Sequence, residues 1–188
     1  MPLPPIILDR GHGQKSPSRF DPGVARGALR EVDLADVYLR EAARVLAGHG
    51  FPVRLLLEGS YTSRHQAARE FAVEHPGRGL YLQCHVNAGG GRYALVEHDA
   101  RSSRGATAAR VVVDALDAAL PETNAAKVIA LDPGKRGHTC IAGIWTAPTL
   151  CGLIVEPGFL DCPAHAPLWM AEGLARIGAA LAEGIRSA

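Results

Sequence analysis

Residues 5–14 read PIILDRGHGQ, an apolar run that stops at an acid, an arginine and a histidine between two glycines. Consecutive aliphatic residues bounded by proline and charge predict a strand that is buried on both faces, as in a parallel sheet. The histidine lies where glycine leaves the backbone least restrained, so a sharp turn can aim its imidazole across the end of the strand. The stretch therefore predicts a core strand that leads directly into a functional site.

Similar short apolar runs alternate with longer segments of helical period along the rest of the chain. The predicted strands lie near residues 5–9, 52–57, 79–84, 93–98, 127–131 and 152–156. The predicted helices cover residues 34–46, 63–74, 108–119 and 166–186. This alternation is typical of an α/β fold, in which helices cover a largely parallel sheet.

Length and composition indicate one domain. The chain has 188 residues, of which 47% are apolar, and this is enough for one well-packed core but short for two. We therefore expect a single domain over residues 1–188. Its 20 basic and 19 acidic side chains leave a formal net charge of +1. The overall charge is therefore too small to attract nucleic acid or an anionic membrane to the whole protein.

The cysteines and the N-terminal sequence suggest a reduced, intracellular site of synthesis. Cys84, Cys140, Cys151 and Cys162 lack the paired spacing of a structural zinc cluster, and we expect free thiols. The opening MPLPPIILDR has no basic leader and no signal-peptide apolar stretch, and no run elsewhere approaches membrane-spanning length. We therefore expect a chain that is cytoplasmic when made.

One predicted connection is unusually long. Residues 10–29, RGHGQKSPSRFDPGVARGAL, show no hydrophobic period, and compact domains rarely contain such a loop without a functional reason. The loop carries His12 and leads into Glu31, which lies in the first turn of the next helix, where the helix dipole favours a carboxylate. We expect the loop to deliver both side chains to one site.

Polar residues also follow two other predicted strands. LYLQC runs into His85, and GLIVE ends in Glu156. Ligands of open α/β sheets bind beyond the carboxyl ends of the strands, so these residues are expected to meet His12 and Glu31. Two imidazoles and one carboxylate form a ligand set that leaves a fourth position on zinc open for water. The second carboxylate, Glu156, is our candidate for the general base.

These motifs resemble those of the zinc-dependent N-acetylmuramoyl-L-alanine amidases of the amidase-3 type, which occur in bacterial cell-wall remodelling enzymes and in phage endolysins. ILDRGHG resembles the family's LDPGHGG, DPG at 21–23 resembles its turn, QCHVNA is similar to SIHxNA, and LIVEPGFLDC is similar to LVExGFLSN. The resemblance covers nearly the whole chain. It implies a six-stranded, mostly parallel mixed sheet flanked by helices, a metal held by His12, Glu31 and His85, and catalysis by Glu156.

The resemblance also implies an activity. With Zn²⁺ as its cofactor, the protein would hydrolyse the amide between N-acetylmuramic acid and L-alanine, and so degrade the cell wall as an antimicrobial lysin does. The expected partner is peptidoglycan, with no nucleic acid and no membrane, and the expected state is a monomer that acts on the wall after release or export. Some positions depart from the family: Arg10 replaces a proline, Arg69 stands where asparagine is frequent, and LLLEGS lacks a Thr-Arg pair.

Four further residues are candidates for contacts to the substrate or to the ligands: Asp9, Arg10, Asn87 and His138. Asp9 is expected to brace the glycine loop or the outer face of a ligand imidazole. Arg10 adds a cation beside the predicted metal site, and Asn87 belongs to the QCHVNA motif. His138 either donates to the oxyanion of the reaction, contacts the peptide, or lies in a plain surface turn. Ordinary structural or surface roles are expected for His49, His65, His75, His98 and His165.

Two other functions remain open. A zinc peptidase or deacylase could use the same ligands on another amide, because the ligand triad determines the chemistry and leaves the pocket undefined. A catalytically inactive peptidoglycan-binding module could keep the fold for adhesion alone, although the presence of Glu156 argues against it.

Overall fold

The computed structural model describes residues 2–16, 18–135, 137–144, 147 and 149–188. Within these residues the strands are β1 Ile6–Arg10, β2 Gly13–Ser16, β3 Arg19–Asp21, β4 Ala25–Arg26, β5 Leu29–Arg30, β6 Val53–Leu56, β7 Gly79–Cys84, β8 Ala94–Asp99, β9 Ala126–Leu131 and β10 Leu150–Glu156. The α-helices are α1 Glu31–Gly48, α2 Tyr61–Glu74, α3 Ser103–Ala119, α4 Thr139–Ala142 and α5 Ala171–Ser187, and a 3₁₀-helix spans Pro163–Trp169.

Six strands form the central sheet, in the order β6-β1-β7-β10-β8-β9. All neighbours run parallel except β10 and β8, which are antiparallel. The predicted α/β fold with a six-stranded, mostly parallel mixed sheet is therefore confirmed. The six predicted strands each lie within two residues of an observed one, because each was marked by an apolar run that is buried in the sheet.

The sheet has a core on both faces, as alternation along its strands requires. Leu8 and Leu82 point to one face and pack with the apolar sides of α1, α3 and α5. Ile7 and Tyr81, their neighbours in sequence, point to the other face, where Ala68 of α2 also belongs to the core. The continuous apolar runs seen in the sequence therefore reflect strands that are covered on both sides.

The last predicted helix, residues 166–186, is divided in the structure. A 3₁₀-helix covers Pro163–Trp169, Met170 is extended, and α5 begins at Ala171. Pro167 lies inside the first of these helices and has no N–H to donate, so an α-helix could not run through it. The predicted start of this helix was therefore wrong, whereas its predicted end lies within one residue of the end of α5.

The long connection after β1 is also more regular than predicted. Apart from Pro17, which lies outside the described residues, it contains two small antiparallel pairs, β2 with β3 and β4 with β5. Gly27 makes the turn between β4 and β5 at φ +60°, which glycine adopts without strain. The prediction of an irregular loop was wrong, because strands this short carry no detectable hydrophobic period.

Within the part of the chain that the structure describes, no helix is both long and apolar enough to cross a membrane.

Candidate active site

The four side chains that the sequence predicted to converge line one cavity of about 470 Å³. His12 follows β1, His85 follows β7, and Glu156 ends β10, so all three lie at the carboxyl ends of neighbouring parallel strands. Glu31 is the first residue of α1 and reaches the same cavity from the end of the loop. The topology of the sheet therefore brings together residues that are far apart in the sequence.

Three of these side chains form a compact set of potential metal ligands. Ligand atoms of His12, Glu31 and His85 all lie within 4.8 Å of one another. Glu31 Oε1 is 2.9 Å from His85 Nδ1 and 3.3 Å from His12 Nε2. The two imidazole rings meet edge to face, with centroids 5.0 Å apart. Both rings therefore turn a nitrogen toward the same carboxylate oxygen.

The carboxylate of Glu31 is held by main-chain amides. The N–H of Val24 donates to Oε2 over 2.8 Å, and the N–H of Val86 donates to Oε1 over 3.0 Å. Burial works to raise the pKa of Glu31, but its hydrogen bond and charge interaction with His85, together with the charge of His12, hold that pKa below the usual value. Glu31 is therefore poised as a carboxylate although its side chain is almost fully buried.

Glycines leave the space in which these side chains fit. A Cβ on Gly11 would overlap the imidazole of His85. Gly23 has φ +70°, and a Cβ there would overlap the Glu31 carboxylate and lie 2.8 Å from His12 Cδ2. Of the two glycines around His12, Gly13 provides the left-handed backbone turn, at φ +118°, while Gly11 provides room for the second ring.

The nitrogens that face away from Glu31 also have partners. His12 Nδ1 lies 3.0 Å from the carboxylate of Asp21, and His85 Nε2 lies 3.2 Å from the amide oxygen of Gln83. Burial works to raise the pKa of Asp21, but hydrogen bonds from the Gly23 N–H and from His12 lower it to about 2. Each ring is therefore oriented from behind by a polar group.

Glu156 lies in the same cavity and is partly buried. Burial raises its pKa to about 7; the nearby charge of His85 and the hydrogen bond from Asn87 oppose that rise, whereas the charges of Glu97 and Glu31 add to it. Glu97 lies on β8, opposite Ile154 of β10, and its own pKa is also raised by burial. A carboxyl group with a pKa near neutrality can both accept and release a proton.

Two of the further candidates, Asp9 and Arg10, lie at the end of β1 and make hydrogen bonds around the base of the glycine loop. Asp9 is fully buried and accepts hydrogen bonds from Arg64, Tyr81 and Gln83. Arg64 also donates to the carbonyl of Arg10, so Asp9 is linked to the backbone of the glycine loop. The side chain of Arg10 pairs with Asp36 over 2.8 Å and donates to the carbonyl of Leu57.

The other two candidates differ in position. Asn87 donates a side-chain hydrogen bond to Glu156. Its main-chain N–H donates to the carbonyl of Gly158, and its main-chain carbonyl accepts from the N–H of Leu160. His138 is buried with Nε2 2.8 Å from the carboxylate of Asp99, so this ring is engaged in a pair away from the ligand set. His138 therefore does not lie at a plain surface turn, whereas its contact with the oxyanion or the peptide of the substrate stays a prediction.

Several residues of the cavity, and Gln83 behind the His85 ring, were not predicted as functional from the sequence. Asp21 was quoted only as part of the DPG turn, and Gln83 only as part of the predicted strand LYLQC. Glu97 lay within a predicted strand, and Tyr61, whose hydroxyl donates to the carbonyl of Gly11 over 2.6 Å, preceded a predicted helix. The position of Gln83 two residues before His85 was the one available signal, because side chains at that spacing share a face of the strand.

Comparisons with known proteins bear on the fold. No protein-family model and no curated protein sequence matches the chain. Among solved structures, Cwp6 from Clostridium difficile has a TM-score of 0.77 at 18% identity over 98% of this chain, which spans 29% of Cwp6. The CwlD amidase from Clostridioides difficile, solved in complex with the GerS lipoprotein, has a TM-score of 0.77 at 18% identity over 98% of this chain and 97% of its own.

A third solved structure, the N-acetylmuramoyl-L-alanine amidase AmiC2 of Nostoc punctiforme, has a TM-score of 0.71 at 20% identity over 98% of this chain and 96% of its own. At such identities the likeness defines the arrangement of strands and helices. The chain therefore has the fold that is found in N-acetylmuramoyl-L-alanine amidases.

Proposed function

We propose that the protein is a zinc-dependent N-acetylmuramoyl-L-alanine amidase, with residues 1–188 forming a single catalytic domain. It would hydrolyse the amide between the lactyl group of N-acetylmuramic acid and the L-alanine of the peptidoglycan stem peptide. The observation that carries the proposal is the meeting of His12, Glu31 and His85 with Glu156 in one cavity. The amidase fold around that cavity supports the choice of substrate.

The three proposed ligands fit a zinc ion. Imidazole nitrogens and a carboxylate oxygen are ligand types that zinc prefers, and three protein ligands leave one position open in a catalytic site. Ligands at about 2.0–2.1 Å from a tetrahedral ion lie roughly 3.3 Å apart. The separations of Glu31 Oε1 from His85 Nδ1 and from His12 Nε2, 2.9 and 3.3 Å, are close to that spacing.

Glu156 would act first as the general base and then as the general acid. When bound, zinc would supply a Lewis acid that polarises the scissile carbonyl and lowers the pKa of the attacking water. Glu156 takes a proton from that water as the new C–O bond forms. It then delivers the proton to the nitrogen of L-alanine as the C–N bond breaks, which leaves a lactyl carboxylic acid that keeps the second hydrogen of the water, and a free amine. Asn87 orients the Glu156 carboxylate by its hydrogen bond.

Product analysis on purified cell walls tests this function. Amidase action would release new L-alanine amino termini without new reducing sugar ends. A peptidase would instead expose internal peptide termini, and a deacylase would release an acyl group from another amide. An inactive binding module would sediment with the walls and leave their turbidity unchanged, with or without a chelator. Reducing ends or internal cuts as the sole products would refute the substrate assignment.

Peptidoglycan is thus the proposed partner, and the cell wall is the proposed place of action. We further propose that the protein works as a monomer, because the ligand set and Glu156 are all supplied by one chain. Size-exclusion chromatography with light scattering would give about the mass of one 19.8 kDa chain. A stable dimer whose dissociation abolishes activity would contradict this part of the proposal.

A further inference from the structure

Gln83 is a fully buried amide that the proposed chemistry does not use. It lies on β7 between Asp9 and the ligand candidate His85. Its Nε2 is 3.1 Å from Asp9 Oδ2 and 3.2 Å from the hydroxyl oxygen of Tyr81. Its Oε1 is 3.2 Å from Nε2 of His85. One amide therefore connects the buried carboxylate to the back of the imidazole.

The contacts of Asp9 determine which way round this amide lies. Asp9 is ion-paired with Arg64 and also accepts from the hydroxyl of Tyr81. Because the Tyr81 hydroxyl gives its hydrogen to Asp9, its oxygen is left to accept, and the NH₂ group of Gln83 must face that oxygen and the Asp9 carboxyl group. The amide oxygen of Gln83 must then face His85.

The orientation of the amide determines which nitrogen of His85 carries a hydrogen. An amide oxygen can only accept, so His85 Nε2 must be the N–H group. His85 Nδ1 lies 2.9 Å from Glu31 Oε1, and when a cation binds between them this nitrogen gives up its hydrogen bond to Glu31 and presents its lone pair to the cation.

His12 has the opposite arrangement. Its Nδ1 faces the carboxylate of Asp21 at 3.0 Å and must be the N–H group there. Its Nε2 faces Glu31 Oε1 at 3.3 Å and would present its lone pair to a cation bound between the two. The two rings are therefore held by different groups, one by a carboxylate and the other by an amide that a second carboxylate orients.

We propose that Gln83, oriented by Asp9, is a positioning residue that holds His85 in its Nε2–H form, so that His85 binds the metal through Nδ1 while His12 binds it through Nε2. A partner behind a ligand imidazole sets the ring's tautomer and orientation, and its loss typically weakens metal binding by about 10–100-fold. The inference rests on the metal site of the proposed function and is independent of the substrate.

The first test is nitrogen-15 NMR of the zinc-loaded protein with labelled histidine. Couplings to the ring carbon protons distinguish a protonated nitrogen from a metal-bound one. We expect a protonated Nε2 at His85 and a protonated Nδ1 at His12, with the two rings assigned from single substitutions. A protonated Nδ1 at His85 would overturn the inference, and this test needs no variant at Gln83.

The second test measures zinc affinity by competition with a chelator. Gln83→Leu keeps a similar volume and removes the acceptor, and we expect zinc binding to weaken by about 10–100-fold. The matched control is Gln66→Leu, on the exposed face of α2, where affinity should stay that of the parent protein. Parental zinc affinity in Gln83→Leu would overturn the inference. If Gln83→Leu does not fold, the NMR result on the parent protein decides.

The failure of this inference can be told apart from failure of the proposed function. A protein that takes up zinc with the expected tautomers but leaves cell walls uncut would refute the substrate and keep the role of Gln83. A protein that cuts walls and binds zinc through Nε2 of His85 would keep the function and refute the role. A parent protein that takes up no zinc would refute both.

Discussion

The side-chain amide of Asn87 donates a hydrogen bond to the carboxylate of Glu156, the residue that ends β10. This bond favours the charged form of Glu156 and lowers its pKa. Asn87→Ala should therefore raise that pKa, and a base with a higher pKa becomes active only at higher pH. We expect the acidic limb of the kcat/KM profile for wall hydrolysis to move to higher pH. An unmoved limb would show that the contact does not tune the base.

Glu97 should have the opposite effect on the same profile. Its charge raises the pKa of Glu156, since two carboxylates in one partly buried cavity disfavour each other's ionisation. Glu97→Gln removes that charge and should lower the pKa, so that the acidic limb moves to lower pH. The same zinc loading is needed for both proteins, because the cation itself acts on Glu156. A shift to higher pH would contradict the assigned interaction.

Substitutions at Glu156 and at His12 should separate turnover from metal binding. Glu156→Gln keeps the shape of the side chain, so the protein should retain zinc while wall hydrolysis falls by about 10²–10⁴-fold, the usual contribution of a general base. His12→Ala removes one of three proposed ligands and should lose the zinc itself. Elemental analysis of dialysed protein and a turbidity assay measure the two effects. Full activity in Glu156→Gln would remove the proposed base.

Gly11→Ala should disturb the site by steric overlap alone. The added Cβ would overlap the His85 ring, and displacing a packed ring typically costs about 1–3 kcal/mol. We expect weaker zinc binding and a lower midpoint of thermal unfolding. Gly48→Ala is the control: a Cβ there meets no atom within 4 Å, and alanine in a helix is favoured over glycine by about 0.5–1 kcal/mol. Equal behaviour of the two variants would contradict the packing argument.

The pair of Asp99 with its neighbours should make stability depend on pH. The hydrogen bond from Arg101 lowers the pKa of Asp99, and His138 lowers it further. The unfolded chain therefore binds a proton more readily, so this stabilisation is present above the unfolded pKa of about 3.8 and is lost as the pH falls below it.

Asp99→Asn should accordingly lower the free energy of unfolding at pH 7 and change it much less near pH 2. Urea unfolding at both pH values measures the difference. Asp117→Asn, on an exposed position of α3, serves as the control, with a change within about 0.5 kcal/mol. A loss in Asp99→Asn that is the same at both pH values would argue against the pKa shift.

The meeting of His12, His85 and Glu156 was predictable because each follows an apolar run, and such runs become parallel strands of one sheet. Their carboxyl ends must then share an edge, whatever the details of packing. Glu31 could be added from its place after the loop and from the family resemblance. The roles of all four residues stay predictions until metal and turnover are measured.

Other features depended on contacts that no local pattern encodes. His138 meets Asp99 across 39 positions of the chain, and Gln83 meets Asp9 across 74. The first pair depends on how the turn that carries His138 packs against β8, and the second depends on the pairing of β1 with β7. Similarly, the hairpins after β1 are too short to show a period, and only the second of them has a glycine, Gly27, in its turn.

The two main-chain amides that hold Glu31 have a consequence for sequence variation. Every residue except proline presents the same N–H group. The hold on the carboxylate thus does not depend on side-chain chemistry at positions 24 and 86, where another apolar residue that fits the core and keeps the backbone path would preserve it. A comparison that scores only side-chain identity would overlook this clamp, even in distant relatives that retain it.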